Sequence, residues 1–338
     1  MGDRALGISP DRVETRWAAT RVWVGMGAGI AGLVLMIAVE MSTGLAAAVP
    51  VVLYEPPAPA SHIAIAASPE IAFIVTPTVA ELEKAFRVSG YNLDLVRKFN
   101  KPVPRLRLAT LPNGLADMRN ANRRKAVFLA LVLPLILEAN AHIAVERKRL
   151  LYVSAMIKSG LSLPPSLQSW LSRLARRYKT EPSRLDVLLK RVDVLPVSLA
   201  LAQAAIESGW GTSRFAAQGN AIFGQWTTAG GKGLVPAERT EGMTHKVRAF
   251  DRLSESVTAY ILNLNTHRAY RGLRTLRQEA RRKGGRPDGA TLAAGLEPYS
   301  EKGEEYVALL RELIRVNRLA PLDNAILSDE IIGFESGA

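Results

Sequence analysis

The sequence predicts a mainly α-helical protein with one small β-hairpin, preceded by a membrane-inserted segment. Apolar residues recur with helical spacing from about residue 78 to residue 317, which is typical of helices that bury one face. Within Leu234 to Phe250, the turn Thr240-Glu241-Gly242 separates two short segments and predicts the hairpin. An uncharged run near the N-terminus predicts the membrane segment.

Composition limits the chemistry and the partners that we expect. The chain has 338 residues, enough for roughly two domains. Its formal charge of +13 favours anionic partners, and without a nucleic-acid motif we expect lipid headgroups or a cell-wall polymer rather than nucleic acid. Cysteine is absent, which excludes disulfides and thiol catalysis. The four histidines are far apart in sequence, so we predict no metal and no other cofactor.

The N-terminal region has the pattern of a membrane anchor. Residues 1–21 contain four arginines, and Val22 to Val39 is an uncharged run of 18 residues, near the lower limit for a span. The positive flank predicts a cytoplasmic N-terminus. Ala46 to Ala48 has the small residues of a signal-peptidase site, so a cleaved signal is the alternative, but the length of the run favours an anchor. Residues 40–77 are rich in Ala and Pro and predict a linker.

The following region predicts a series of helices. Thr78 with Glu81 indicates a helix start. Asp117 to Lys158 predicts a long helix or a helix pair with a break at Pro134. Within it, Ala126 to Leu137 is too short to span a bilayer and predicts a buried core helix. Further helices are predicted at Leu167 to Tyr178, Pro182 to Lys190, Leu253 to Asn265 and Gly303 to Asn317.

The segment from Pro196 to Gly211 contains the candidate catalytic residue. Pro196 favours a helix start, and Leu199 to Ile206 is apolar on almost every side, which predicts a buried helix. Glu207 falls in the last predicted turn, where burial and the negative end of the helix dipole both raise the pKa of a carboxyl. A carboxyl that stays protonated near neutral pH is suited to be a general acid. The alternative is a solvated glutamate at a helix end, which the apolar helix and the adjacent Trp210 disfavour.

The motif AQAAIESGWGTSRFA, followed by NAIFGQW, resembles the glucosaminidase domain of glycoside hydrolase family 73. The blocks GLVPAERTEGMTHKVRAF, YILNLNTHRAYRGLR and EPYSEKGEEYVALLRELIRVN resemble its Bax-like subfamily of Gram-negative bacteria. The resemblance covers residues 115–318. It implies a lysozyme-like α+β fold, in which a helical lobe and a small β-hairpin lobe enclose a glycan groove. It also implies an endo-β-N-acetylglucosaminidase that acts on peptidoglycan.

The resemblance carries over to particular residues. Glu207 matches the catalytic acid of the family, and the hairpin is expected to supply a second carboxylate, for which Glu238 and Glu241 both remain candidates. Substrate-assisted cleavage through the acetamido group is the alternative and needs no protein nucleophile. Tyr299, in EPYS, resembles the tyrosine of the groove, although a core position is equally compatible with the sequence.

Several side chains are candidates for substrate binding. Trp210 and Trp226 are expected to form platforms for sugar rings, whereas Phe223 is expected in the core. The side chains of Asn220, Gln225 and Asn263 can bond to sugar hydroxyls or acetamido groups, or alternatively to the protein backbone. Tyr270, in NTHRAYRGLR, is a further candidate for substrate contact. The basic run Arg277 to Arg286 predicts a solvated face that also attracts anionic lipids or peptide-stem carboxylates.

Together these features predict a peptidoglycan hydrolase anchored in the inner membrane, with its catalytic domain in the periplasm. Its partners are then peptidoglycan glycan strands and the inner membrane, and the oligomeric state stays open. The alternatives are a muramidase or lytic transglycosylase that uses the same acid, and a non-catalytic cell-wall-binding factor. The predicted regions are a cytoplasmic N-terminus (1–21), an anchor or signal peptide (22–39), a linker (40–77), a helical pre-catalytic region (78–190), a catalytic domain (191–318) and a tail (319–338).

Overall fold

A computed structural model describes residues 76–227, 231–236 and 246–334. The predicted anchor at 22–39, most of the predicted linker, and both Glu238 and Glu241 lie outside the described residues. The helices are α1 (Val79–Val88), α2 (Leu93–Phe99), α3 (Ala121–Lys158), α4 (Pro165–Arg177), α5 (Leu185–Arg191), α6 (Val197–Ser208), α7 (Arg214–Gly219), α8 (Leu253–Thr266), α9 (Arg271–Arg282), α10 (Gly289–Leu292) and α11 (Glu304–Val316). The strands are β1 (Val103–Leu106), β2 (Trp226–Thr227), β3 (Gly233–Leu234), β4 (Lys246–Arg248) and β5 (Leu327–Ile332), and 3-10 turns occupy Arg268–Tyr270, Ala293–Tyr299 and Ala320–Asn324.

Helix α1 begins where the sequence predicts. The Thr78 side chain accepts a hydrogen bond from the backbone N–H of Glu81, and the Glu81 carboxylate accepts one from the backbone N–H of Thr78 at 2.7 Å. This reciprocal pair satisfies two N–H groups that lack partners within the helix. The predicted helix start is confirmed.

Helix α3 is continuous, so the break predicted at Pro134 is wrong. Proline has no N–H, and the carbonyl of Ala130, four residues earlier, therefore loses its normal helical partner. The hydroxyl of Tyr91 donates a hydrogen bond to that carbonyl oxygen at 3.0 Å. A side chain from outside the helix thus satisfies the group that proline leaves unpaired, and the helix continues.

The apolar part of α3 forms the centre of the fold. Among the described residues, α3 is long and apolar enough to cross a bilayer by composition, but 61% of its most apolar window is buried inside the protein. All residues from Val127 to Leu137 are buried. The prediction of a buried core helix in this segment is confirmed.

One hydrophobic core joins the regions on either side of residue 190. Its buried residues extend from Val79 in α1 to Ile332 in β5, and the described residues form one compact unit. Residues 319–334, the described part of the segment predicted as a tail, belong to this core, because β5 pairs in parallel with β1 and Leu322 is buried. A smaller cluster packs the end of α3 against α4 and α5.

The small β-lobe is a three-stranded antiparallel sheet in the order β2-β4-β3. Strands β3 and β4 form the predicted hairpin, with Gly233 opposite Arg248, and their connection at 237–245 lies outside the described residues. Strand β2 adds a strand that the sequence did not predict, with Trp226 opposite Val247. The fold is therefore mainly helical with small sheets, as predicted.

Candidate active site

Helix α6 holds Glu207 in its last turn, as the sequence predicts. Gly209 ends the helix in the left-handed conformation at φ +58, a common helix terminus. Ser208 fixes the following turn, because its hydroxyl donates to the Ala204 carbonyl at 2.6 Å and accepts from the Gly211 N–H at 2.9 Å. The Glu207 backbone is therefore held by helix α6 before it and by the turn at Ser208 and Gly209 after it.

The Glu207 carboxyl is half-buried and has one directed hydrogen bond. The hydroxyl of Tyr306 donates to Oε1 of Glu207 at 2.7 Å. Burial raises the pKa of Glu207 above its ordinary value, and the hydrogen bond from Tyr306 offsets part of that increase. The direction of the net shift is the one that the sequence predicts for a general acid.

A buried chain of polar groups orients Tyr306. Tyr260 donates to Oε1 of Gln203 at 2.6 Å, and Nε2 of Gln203 donates to the Tyr306 oxygen at 3.0 Å. A tyrosine hydroxyl has one hydrogen, so an oxygen that accepts from Gln203 directs its own hydrogen towards Glu207. Gln203 is the polar residue within the otherwise apolar stretch of α6, and it is fully buried.

Three tyrosine rings form a wall beside the acid. The ring of Tyr299 stacks on that of Tyr306 at 5.6 Å between centroids, and Tyr270 lies against Tyr299 at 5.7 Å. The Tyr299 hydroxyl donates to the Phe223 carbonyl at 3.3 Å. Burial raises the pKa of Tyr270 and of Tyr299, and the nearby negative charge of Glu207 adds to both shifts. The three tyrosines are therefore uncharged at neutral pH.

The second carboxyl oxygen faces the backbone at Gly224. A Cβ atom placed on Gly224 would lie 4.0 Å from Oε2 of Glu207, and the residue has φ +57, which favours glycine. Phe223 stacks on Tyr260 at 3.7 Å between centroids and is buried, which confirms its predicted core position. The adjacent Gln225 has a buried Oε1 atom without a hydrogen-bond partner among the described residues.

The two tryptophans lie in different surroundings. Trp226 is 62% exposed on β2. Trp210 is half-buried with its ring edge-on to Phe128 at 6.0 Å between centroids, and the ammonium group of Lys125 lies 5.1 Å from the centre of its ring. Trp226 therefore presents a ring to solvent, whereas Trp210 packs on α3.

The two asparagines bond to the protein itself. Nδ2 of Asn220 donates to the carbonyls of Phe250 at 3.1 Å and Asp251 at 3.3 Å, which ties the end of α7 to the end of the β-lobe. Asn263 on α8 is half-buried and hydrogen-bonded to Tyr270. Both side chains thus hold elements around the acid.

Two residues near the acid were missed in the sequence. Tyr306 lies 99 positions after Glu207. The sequence feature that could have indicated it is its place on the buried face of helix α11, seven residues after Tyr299. Gly224 had no signal beyond its place between Phe223 and Gln225. The contact of Gly224 with the carboxyl becomes visible only in three dimensions.

Comparison with known proteins places these residues in a family. Residues 184–319 match the family model described as glucosaminidase, mannosyl-glycoprotein endo-beta-N-acetylglucosaminidase. The chain is 34% identical over 206 residues to protein bax of Escherichia coli strain K12, covering 57% of this chain and 71% of that protein. The crystal structure of the catalytic domain of the autolysin Auto from Listeria monocytogenes is 19% identical, with a TM-score of 0.30 over 51% of this chain and 95% of that domain. The protein described here is a glycoside hydrolase that belongs to the glucosaminidase family, glycoside hydrolase family 73, with a Bax-like sequence.

Proposed function

We propose that this protein is an endo-β-N-acetylglucosaminidase that hydrolyses the glycan strands of peptidoglycan, with Glu207 as its general acid. The observation that carries the proposal is the half-buried Glu207 carboxyl, whose pKa is raised by burial and which receives the directed hydrogen bond of Tyr306. A glycosidase acid must be protonated before the reaction and stable as an anion after it. The burial and the hydrogen bond supply these two properties.

We infer from the Tyr306 hydrogen bond which oxygen of Glu207 holds the proton. Oε1 of Glu207 accepts from Tyr306, so the acidic hydrogen is on Oε2, the oxygen next to Gly224. That hydrogen moves to the glycosidic oxygen as the bond to the sugar carbon breaks and positive charge develops on the sugar ring. The Tyr306 hydrogen bond then stabilises the carboxylate that remains. Water completes the hydrolysis and returns a proton to Glu207.

The group that balances the positive charge is either a hairpin carboxylate or the substrate's acetamido oxygen. Glu238 and Glu241 are the candidates in the chain. We expect one of the variants Glu238→Gln and Glu241→Gln to lose most activity if a carboxylate acts here. Full activity in both variants assigns the role to the acetamido group, and in that case a substrate without the acetamido group is not cleaved.

The substrate contacts that we propose differ in kind. Trp226 offers an exposed ring for stacking on a sugar, and the amide of Gln225, next to Gly224 in the chain, is the proposed partner of an acetamido group. The other candidates act through the walls of the groove: Tyr270 and Tyr299 in the tyrosine wall, and Trp210, Asn220 and Asn263 through contacts with neighbouring elements.

A zymogram with peptidoglycan tests the proposal directly. Wild type should clear the substrate, Glu207→Gln should not, and Glu305→Gln should clear normally because Glu305 is an exposed carboxylate beside Tyr306 on α11. Mass spectrometry of the products should show reducing N-acetylglucosamine ends. Reducing N-acetylmuramic acid ends or 1,6-anhydro ends would instead identify a muramidase or a lytic transglycosylase. Binding to sacculi without any clearing would identify a cell-wall-binding factor.

We propose further that residues 22–39 anchor the enzyme in the inner membrane with its catalytic domain in the periplasm. Immunoblots of membrane and periplasmic fractions test this proposal. The full-length protein should be in the membrane fraction, and a shorter protein in the periplasmic fraction would indicate a cleaved signal.

A further inference from the structure

A cavity built from residues that the proposed hydrolysis does not use lies between α3, the end of α5 and α9. Its volume is about 250 Å³. Six cationic side chains line it, namely those of Arg147, Lys190, Arg274, Arg277, Arg281 and Arg282. Among the described residues, Asp193 is the acidic side chain that lines it.

One carboxylate does not balance the charge of this cavity. Asp193 is 3% exposed, and its two oxygens each accept a hydrogen bond of 2.6 Å from the guanidinium of Arg281. Arg147 and Arg277 are farther from the same carboxylate, at 3.5 Å and 3.7 Å. The lining therefore has six positive charges and one negative charge, and the negative charge is engaged mainly by one partner.

Two of these cations are buried. Arg277 is 1% exposed and Arg274 is 6% exposed. Arg277 donates to the carbonyls of Asp193, Val194 and Lys190, and Arg274 donates to two other carbonyls. Burial, together with neighbouring arginines, lowers the pKa of both guanidinium groups to about 10. Carbonyls satisfy hydrogen bonds but do not neutralise charge, and Asp193, the carboxylate near Arg277, is bonded mainly to Arg281, so the lining keeps an excess of positive charge.

We propose that this cavity is a binding site for a phosphate group. A phosphate monoester carries between one and two negative charges and three acceptor oxygens, which the forked donors of arginine match. Leu151 also lines the cavity and is 49% exposed, so it offers apolar contact to whatever carries the phosphate. This combination favours the headgroup of an anionic phospholipid as the source over free phosphate.

Calorimetric titration of the full chain in a neutral detergent, at constant ionic strength, tests the site. The probes are dihexanoyl phosphatidic acid below its micellar concentration, dihexanoyl phosphatidylcholine, and inorganic phosphate. We expect saturable binding of phosphatidic acid, weaker binding of inorganic phosphate, and no binding of phosphatidylcholine. Equal affinity for phosphatidic acid and inorganic phosphate would support the phosphate site and assign it to free phosphate. Saturation by none of the probes would overturn the proposal.

Exposed residues at the rim allow a variant that keeps the buried cluster intact. Lys190→Gln combined with Arg282→Gln should weaken phosphatidic acid binding by about tenfold or more, because two charged donors are lost. Lys283→Gln is the matched control, since Lys283 is exposed and adjacent to Arg282 but does not line the cavity. An equal loss in this control would show general charge attraction and overturn the site. Glu207→Gln should bind like wild type, which separates this proposal from the proposed hydrolysis.

Discussion

Replacing Tyr306 by phenylalanine tests the proposed mechanism at one atom. The variant removes the hydroxyl that donates to Glu207 at 2.7 Å and keeps the ring that stacks on Tyr299 at 5.6 Å. A hydrogen bond to a charged group contributes about 1.5–3 kcal/mol. This bond gains its full strength as Glu207 becomes an anion, so most of that energy is lost from the transition state. We expect the rate to fall about 10- to 100-fold.

The pH dependence of the same variant should also change. The bond from Tyr306 lowers the pKa of Glu207, so its loss raises that pKa further. A general acid works in its protonated form, and activity therefore falls as pH rises through the pKa of Glu207. The fall in activity should occur at higher pH in Tyr306→Phe than in wild type, while the maximum rate is lower.

Initial rates on dye-labelled sacculi, measured across the pH range in which the protein stays folded by circular dichroism, check both effects. Tyr91→Phe is a matched control, because it removes the hydroxyl that bonds to the Ala130 carbonyl, away from the acid. It should lower the free energy of unfolding by about 1–3 kcal/mol and leave the rate and the pH profile unchanged. The reasoning would be refuted if activity of Tyr306→Phe fell at the same pH as that of wild type or at a lower pH. The same loss of rate in Tyr91→Phe would also refute it.

Three further variants test separate parts of the structure. Glu207→Gln should raise the unfolding temperature at neutral pH, because the raised pKa of Glu207 in the fold means that its carboxyl ionises more readily in the unfolded chain. The gain should vanish below the ordinary glutamate pKa of about 4.3, where the carboxyl is protonated in both the folded and the unfolded chain. An equal gain at both pH values would contradict this assignment. Trp226→Ala should weaken sacculus binding about fivefold in pull-down titrations, made at a temperature at which circular dichroism shows the variant to be folded. Asp193→Asn should lower the free energy of unfolding by about 3–5 kcal/mol in urea titrations, because it leaves the buried Arg277 without its anion, and a loss below 1 kcal/mol would contradict that role.

The sequence predicted correctly those features of the fold that residues close together in the chain determine. The start of α6 after Pro196 and its end at Gly209 follow from the preferences of proline and glycine. The apolar run within α3 was correctly predicted as buried, because its length and its charged ends excluded a bilayer span. The placement of Glu207 in the last turn of a buried helix depended only on these local features.

Features that depend on contacts between distant residues were missed. The continuity of α3 through Pro134 depends on a hydroxyl from Tyr91, which lies before β1 in the chain. The pairing of β5 with β1 joins two ends of the described fold, and the predicted tail contained no pattern that indicated it. A hydrogen bond across 99 positions, such as that between Tyr306 and Glu207, has no counterpart in local sequence patterns.

Gln203, the polar residue inside the apolar stretch of α6, bears on two requirements that the proposed mechanism places on Glu207. Burial by apolar neighbours raises the pKa of Glu207, but burial alone also destabilises the anion that forms when the proton leaves. Gln203 lies fully inside the core, and both its amide oxygen and its amide nitrogen are hydrogen-bonded. These bonds offset the free-energy cost of burying the amide. It directs the hydrogen of Tyr306 to the carboxyl, where the bond gains strength as charge appears. In the proposed mechanism, burial thus helps Glu207 to hold its proton and the Tyr306 hydrogen bond stabilises the anion after the proton is released.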